Sequence, residues 1–367
     1  MTATAAARID GVRVGAYTVP TDAPESDGTL EWESTTLVTV EASAGGETGL
    51  GYTYADPATA RLIRDKLASL VEGGDPMAVT RLRDMLIHAI RNLGRPGIAS
   101  MAIAAVDIAL WDLKARLLGL PLARLLGPVR EAVPLYGSGG FTAYPVDRLQ
   151  RQLESWAEEG MAWVKMKVGR QPGADLERVR AAREAIGDRC GLMVDANGAY
   201  SRKQALAESE RFAGEGGVVW LEEPVSSDDP EGLRLLRDRA PAGMEVSAGE
   251  YGYHLPYFRR MLQEGAVDVL QADVTRASGI TGLLAVDALC QAHQIPLSTH
   301  TAPAASLHVA CALPQLRHME WFHDHVRIER RFFEGWVGPE EGRLAPDPGR
   351  AGHGLELKHE VAESYAV

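Results

Sequence analysis

The stretch that decides the fold is residues 191–222, GLMVDANGAYSRKQALAESERFAGEGGVVWLE. It holds a short apolar run ending in Asp195, a helical pattern that begins after Ser201, and a second apolar run ending in Glu222. An acidic residue at the end of two successive strands, with a helix between them, is typical of a (β/α) barrel. Such barrels assemble their active sites at the carboxyl ends of the strands.

The same strand-and-helix unit recurs along the chain. Glu250, Asp273, His300 and Glu320 also end or follow apolar runs, at intervals of roughly 20 to 28 residues, which is one strand plus one helix. We therefore predict an α/β fold, a TIM-like (β/α)7β barrel of eight strands with seven intervening helices. The expected strands are Val133–Tyr136, Trp163–Val168, Gly191–Asp195, Val218–Glu222, Glu245–Glu250, Val267–Asp273, Ile295–His300 and Arg317–Trp321.

A different pattern precedes the barrel. Residues 1–130 predict an α+β capping domain, residues 131–325 the catalytic barrel, and residues 326–367 a segment that returns to the capping domain and completes it. The Pro, Asp and Gly-rich stretch Pro20–Gly28 predicts a long loop between the first two strands. The expected elements of the capping domain are strands Val12–Val19, Thr35–Glu41 and Thr48–Tyr54, and helices Ala58–Glu72, Met77–Asn92 and Ser100–Leu118.

Composition excludes several classes of function. The 367 residues carry a net charge of −12, which argues against nucleic acid or an anionic membrane as a partner. The three cysteines are far apart in apolar runs, which is typical of buried thiols in a reducing compartment. Residues 1–10 lack the apolar core of a secretory signal, and the most apolar helix, Met101–Leu120, contains four charged residues. We expect a cytoplasmic protein with a small-molecule substrate.

Strand alternation defines which side chains share the barrel interior. Residues two apart on a strand face the same side, so Lys165 and Lys167 point together, as do Asp195 and Asn197. The same alternation makes Glu222, rather than its neighbour Glu223, the inward partner of Trp220. Two lysines inside a barrel require carboxylates or an anionic ligand to offset the cost of burying their charge.

Three carboxylates on consecutive strands predict a metal site. Asp195, Glu222 and Glu250 offer hard oxygen ligands from three directions, which suits Mg²⁺. The cluster His318–His325 is the alternative for a softer metal, but it lacks a clear third partner. We interpret it as a loop or as residues that support the site.

Asp273 and His300 lie at the ends of neighbouring strands. An aspartate that accepts a hydrogen bond from one imidazole nitrogen makes the other a better general base. Across the barrel, Lys165 is expected to lower the pKa of Lys167, which would supply a second base. One base on each side of a bound metal could remove or return a proton on either face of a carbon.

The ordered motifs resemble the enolase superfamily and, within it, the mandelate racemase subgroup of mandelate racemase/muconate lactonizing enzymes. The presence of Asp273 and His300 favours this subgroup, because the muconate-lactonizing subgroup would have a lysine at position 273. The motifs are Lys165-Met-Lys167, Val-Asp195-Ala-Asn197-Gly, Trp-Leu-Glu222-Glu-Pro, Ser-Ala-Gly-Glu250, Gln-Ala-Asp273-Val-Thr, Ser-Thr-His300 and Met-Glu320-Trp, and the stretch from Ala105 to Asp112 resembles the last capping-domain helix.

The resemblance implies Mg²⁺-dependent removal of the proton alpha to a carboxylate, giving a metal-stabilised enediolate. It implies that Lys167 and His300 act on opposite faces, that Lys165 orients the carboxylate, that Asn197 contacts the substrate oxygen and that Glu320 hydrogen-bonds the enediolate. The favoured outcome is dehydration of an acid sugar to a 2-keto-3-deoxy acid. The alternative is racemisation or epimerisation of a 2-hydroxy acid by the Lys/His pair. The resemblance also implies a homodimer or octamer.

The substrate pocket is predicted from the segments near the barrel mouth. Loops at 20–32 and 49–54, which include Trp32 and Tyr54, are expected to close the site. Ser138, with Tyr136 and Tyr144, is expected to line a polar pocket suited to a polyol.

Other functions are less favoured. The segment Ser278-Gly-Ile-Thr-Gly could bind phosphate at a helix N-terminus, although phosphate sites of barrels usually follow the last two strands. The glycines of residues 45–51 are in the wrong order for dinucleotide binding. A catalytically silent metal- or sugar-binding protein would not need every acid and base to be present.

Overall fold

The computed structural model describes residues 7–367. Residues 1–6, part of the segment expected to lack a secretory signal, lie outside the described residues. Among those described, no helix has the length and hydrophobicity needed to span a membrane.

An antiparallel sheet in the order β1-β2-β3 forms the N-terminal part. The predicted loop Pro20–Gly28 is wrong, because β1 continues through most of it. Pairing breaks between Pro20 and Glu25 and then resumes. Pro20 is tolerated because β1 has no strand on its outer side at this point, so a missing backbone N–H leaves no ladder partner unsatisfied. The strand predicted at Thr48–Tyr54 is present as β3, so the expectation that residues 49–54 form a loop over the site is wrong. The strands are β1 Ile9–Ser26, β2 Glu31–Ala44 and β3 Glu47–Tyr54.

The sheet packs on one long helix that is mostly buried. Gly49 and Gly51 make this contact possible, because a Cβ on either would lie within 2.3 Å of a backbone oxygen of the helix. The three predicted helical regions are present. Their segments are α1 Ala58–Leu62, a π-helical turn Ile63–Leu67, α2 Ala68–Val71, α3 Val79–Ala89, α4 Ile98–Leu117 and α5 Leu122–Leu126.

Eight parallel strands form the closed barrel that the sequence predicts. Closure occurs where the eighth strand pairs with the first, with Glu320 opposite Tyr136. The strands are β4 Val133–Gly139, β5 Trp163–Lys167, β6 Gly191–Asp195, β7 Val218–Glu222, β8 Glu245–Ala248, β9 Val269–Ala272, β10 Leu297–Thr299 and β11 Leu316–Phe322.

Seven helices alternate with the barrel strands. Ser201 caps one of them through a capping box with Gln204, as expected from its position before the helical pattern. The helices are α6 Val146–Glu158, α7 Pro172–Ile186, α8 Arg202–Gly216, α9 Pro230–Arg239, α10 Leu255–Gln263, α11 Gly279–His293 and α12 Pro303–Ala310.

The tail returns to the N-terminal sheet. The backbone N–H of Thr18 donates to the carbonyl of Tyr365, and that of Val367 donates to the carbonyl of Ala16. The last residues of the tail therefore pair with the outer edge of β1 at Ala16–Thr18. Its elements are α13 His323–Phe332, β12 Phe333–Glu334, β13 Arg343–Leu344, β14 Glu356–Leu357 and α14 His359–Glu363.

Candidate active site

The predicted acidic and imidazole side chains meet at the carboxyl end of the barrel. Asp195 and Glu222 are the last residues of β6 and β7. Glu250 follows β8, Asp273 follows β9 and His300 follows β10. Because parallel strands end at the same edge, residues that are far apart in sequence become neighbours.

Asp195, Glu222 and Glu250 form a buried carboxylate cluster. One ligand oxygen from each lies within 4.8 Å of the other two, and the three residues are at most 3% exposed. Three carboxylates this close repel one another unless cations compensate them. The donor set therefore fits a hard divalent cation such as Mg²⁺.

Two lysines supply part of that compensation. Lys165 Nζ lies 2.6 Å from Glu222 Oε1 and 2.9 Å from Glu320 Oε1, while Lys167 Nζ pairs with Asp195. Both lysines face the carboxylates, as strand alternation predicts. Neither keeps appreciable solvent contact, so these ion pairs experience little screening.

The predicted lowering of the Lys167 pKa is wrong for this arrangement. Burial and Lys165 do favour the neutral amine, but Asp195 and other nearby carboxylates outweigh them, so the pKa of Lys167 is raised. The sequence-based argument counted the neighbouring cation and omitted the acids. A divalent cation held by those acids would offset the same negative charge.

His300 and Asp273 form the predicted pair. His300 Nδ1 lies 2.9 Å from Asp273 Oδ2, while Asp273 Oδ1 accepts from the N–H and hydroxyl of Thr275 at 2.7 Å each. These contacts hold the carboxylate in position and direct Nε2 of His300 toward Glu250, 3.1 Å away. Burial alone would lower the pKa of His300, but Glu250 and Asp273 raise it to about 10.

Glu320 connects the lysine pair to the end of β10. Its Oε2 accepts from the backbone N–H of Thr301 at 2.8 Å, and its Oε1 contacts Lys165. Burial would raise the pKa of Glu320, but Lys165 and His300 lower it to about 2. In this arrangement Glu320 is ionised and accepts hydrogen bonds rather than donating them.

Two predicted substrate residues lie beside this cluster. Asn197 has a left-handed backbone, with φ of 46°, and its buried Oδ1 has no hydrogen-bond partner within residues 7–367. Ser138 is fully buried on β4, opposite Lys165 of β5. Tyr136 was expected to line the substrate pocket, but it packs inside the barrel with Met193 and Trp220.

The β1–β2 turn reaches the barrel mouth. A Cβ at Gly28 would lie 2.2 Å from the carbonyl oxygen of Ala196, so only glycine permits this approach. Trp32 lies beside the turn, where its Nε1 donates to Glu25 Oε2 at 2.9 Å and its ring packs against Phe141. Tyr54, at the end of β3, stacks on His325. The structure therefore brings both predicted aromatic residues to the capping-domain side of the barrel.

The histidines at 318–325 occupy different sites. His318 lies inside the barrel against Tyr136. His323 comes within 4.8 Å of ligand oxygens of Asp22 and Glu25, in a rim cluster where Arg148 already pairs with Asp22 at 3.0 Å. Sequence reasoning missed Glu25 and the position of His325, because both depend on contacts between distant segments.

The Ser278-Gly-Ile-Thr-Gly segment is not a phosphate site. The helix N-terminus is occupied by Asp107 of α4, which accepts from the N–H of Thr281 at 2.9 Å and from its hydroxyl at 2.7 Å. A buried carboxylate thus already occupies the place an anion would take. The three cysteines are free and buried, as expected.

The chain is similar to known proteins over nearly its whole length. The model of the mandelate racemase/muconate lactonizing enzyme N-terminal domain matches residues 14–127, and that of the enolase C-terminal domain-like family matches residues 148–361. A mandelate racemase/muconate lactonizing enzyme-like protein from Rubrobacter xylanophilus is 59% identical, with a TM-score of 0.96 over 98% of this chain and 100% of that one.

Two curated relatives have different activities. The L-talarate/galactarate dehydratase of Salmonella typhimurium is 32% identical over 91% of this chain and 88% of its own length. Its structure liganded with Mg and L-lyxarohydroxamate superposes with a TM-score of 0.88, covering 100% and 95% of the two chains. The 3,6-anhydro-alpha-L-galactonate cycloisomerase of Streptomyces coelicolor is 32% identical over 98% and 99%. The chain belongs to the mandelate racemase/muconate lactonizing enzyme family of the enolase superfamily.

Proposed function

We propose that the protein is a Mg²⁺-dependent dehydratase of acid sugars. The observation that carries this proposal is the placement of two bases, Lys167 and His300, on opposite sides of one carboxylate cluster. Lys167 contacts the cluster at Asp195, and His300 contacts it at Glu250. Similarity to the Salmonella dehydratase supports an acid sugar as the substrate class.

Asp195, Glu222 and Glu250 would hold the metal ion. When bound, Mg²⁺ supplies electrophilic stabilisation of the negative charge that develops on the substrate carboxylate as the alpha proton leaves. Lys165, buried between Glu222 and Glu320, provides fixed positive charge for orienting that carboxylate. Asn197 would contact a substrate oxygen through its unpartnered side chain.

His300 would transfer the proton that makes dehydration possible. Asp273 holds a proton on Nδ1. A cation held by Glu250 would offset the negative charge that raises the pKa of His300, and Nε2 would then be free to accept the C2 proton while the bonding pair stays with carbon. The protonated Nε2 can then give its proton to the departing 3-hydroxyl as the C3–O bond breaks. Water and an enol are released, and the enol becomes the 2-keto-3-deoxy acid.

Racemisation or epimerisation is the second candidate, and Lys167 favours it. A protonated amine on the opposite side of the cluster can return a proton to C2 from the other face. The two outcomes differ in product, because epimerisation keeps the 3-hydroxyl and dehydration yields a keto acid.

The test is incubation in D₂O with Mg²⁺ and a panel of acid sugars. We expect deuterium at C2 and a semicarbazide-reactive keto acid from at least one member of the panel. His300→Asn should abolish turnover of one C2 configuration, while His88→Asn, at an exposed helical histidine, should leave the rate unchanged. A panel that yields neither exchange nor keto acid would contradict the proposed function. Exchange without keto acid would favour the epimerase.

We further propose the setting in which the enzyme works. The chain divides at residues 130 and 325 into capping domain, barrel and returning segment, and it assembles as a homodimer or octamer, as the family resemblance implies. The free buried cysteines support a cytoplasmic location. Light scattering tests the assembly directly.

A further inference from the structure

His325 has a hydrogen-bond donor with no assigned role. It lies in the first turn of α13, is 7% exposed, and its ring stacks on Tyr54 with centroids 3.4 Å apart. Its Nδ1 lies 3.2 Å from the backbone nitrogen of Ala302. A backbone amide can only donate, so Nδ1 must accept. The neutral ring therefore carries its proton on Nε2.

The ring lies next to the groups proposed to move the proton. Ala302 is two residues beyond His300, and both His300 and Asp273 act electrostatically on His325. Burial, the largest effect, lowers the pKa of His325 to about 3. The imidazole is therefore neutral at physiological pH and keeps its Nε2–H. Within residues 7–367, Nε2 makes no hydrogen bond, and it is not among the fully buried polar atoms that lack a partner, so it keeps some contact with solvent.

A purely structural role accounts for only half of this arrangement. Thr301 and Ala302 have left-handed backbones, with φ of 43° and 41°, and the bond to His325 helps to hold this strained turn. That role requires an acceptor at Nδ1 and nothing at Nε2. The Nε2–H is thus a fixed donor that solvent, and therefore a ligand, can reach, in a ring held two residues beyond His300.

We propose that His325 binds substrate through Nε2–H, donating a hydrogen bond to a hydroxyl oxygen of the acid-sugar chain beyond C2. This inference rests on the proposed function. A neutral, fixed donor suits a hydroxyl group, because it orients the oxygen without attracting a charged group to that position. His325 would thus select polyhydroxylated acids over 2-hydroxy acids with an apolar side chain.

The test compares His325→Asn with His325→Ala. The Oδ1 of asparagine can take the place of Nδ1 and accept from Ala302, but asparagine has no donor where Nε2 lies. His325→Asn should keep the wild-type Tm. Its kcat/KM on the acid sugar should fall about 10- to 100-fold, as expected when one hydrogen bond to the substrate is lost. His325→Ala should lose both stability and activity.

Monodeoxy analogues of the same acid identify the contact. On the analogue that lacks the bound hydroxyl, wild type and His325→Asn should exchange the C2 proton at the same rate. An unchanged kcat/KM for His325→Asn on the full acid sugar would overturn the inference, and so would an equal loss on every analogue. Failure of the wild-type enzyme on all acid sugars would instead overturn the proposed function, and this inference with it.

Discussion

Replacing Asp273 with asparagine should disable one face of the site and spare the other. The carboxylate of Asp273 accepts a hydrogen bond of 2.9 Å from Nδ1–H of His300, and both side chains are buried from solvent. In Asp273→Asn the oxygen bonded to Thr275 can remain, so an amide N–H would face Nδ1. The imidazole must then present a lone pair at Nδ1 and carry its proton on Nε2, which removes the acceptor needed for the C2 proton.

The expected magnitude follows from the loss of a general base. Proton transfer by a positioned side chain contributes about 10²- to 10⁴-fold, or roughly 3 to 5 kcal/mol of the barrier. We expect the rate of C2 deuterium exchange, measured by proton NMR, to fall by this factor for the C2 configuration on which His300 acts. Exchange of the opposite configuration, served by Lys167, should remain within about threefold of wild type.

A matched control is Asp287→Asn. Asp287 is also buried, and it accepts from Gln291 and from the N–H of Gln315, away from the site. The Asp287→Asn variant should be less stable than wild type, but its exchange rates for the two C2 configurations should change equally. An equal loss for both configurations in Asp273→Asn, or no loss in either, would refute the assignment of Asp273 to His300.

Three further changes test other parts of the molecule. Lys167→Ala should remove exchange of the second C2 configuration by about 10²-fold or more, whereas Lys203→Ala, at an exposed helical position, should have no effect on NMR-detected exchange. Gly28→Ala should raise KM in steady-state assays, because its Cβ would displace the β1–β2 turn from the barrel; an unchanged KM would argue against closure by this turn. Burial raises the pKa of Glu329 to about 8, so its stabilising contribution is complete below about pH 4.5 and is lost as pH rises through 8. Glu329→Gln should therefore gain Tm relative to wild type as pH rises from about 4.5 to about 8 in calorimetry, and a constant difference over that range would contradict this.

The barrel and its cluster were predictable because both depend on local patterns. A strand such as Val218–Glu222 shows its apolar run and its acidic end within five residues. Placement of Asp195 and Glu222 then follows from the geometry of parallel strands. The family resemblance added roles that local patterns do not provide.

The errors arose where distant segments decide the outcome. The edge position of β1 overrides the loop signal of Pro20–Gly28, and strand order cannot be deduced from composition. Asp107 fills the helix N-terminus that resembled an anion site, although it lies far away in sequence. The pKa of Lys167 depends on several carboxylates at once, so an argument from one neighbouring residue gave the wrong sign.

The pairing of residues 365–367 with β1 has a consequence for biosynthesis. During translation β1 emerges long before residues 365–367, so its outer edge stays open until those residues leave the ribosome. An open strand edge can pair with other chains, so the nascent N-terminal sheet is exposed to misassembly until residues 365–367 are made. Truncation at residue 364 should therefore lower the yield of native protein before it alters any catalytic constant.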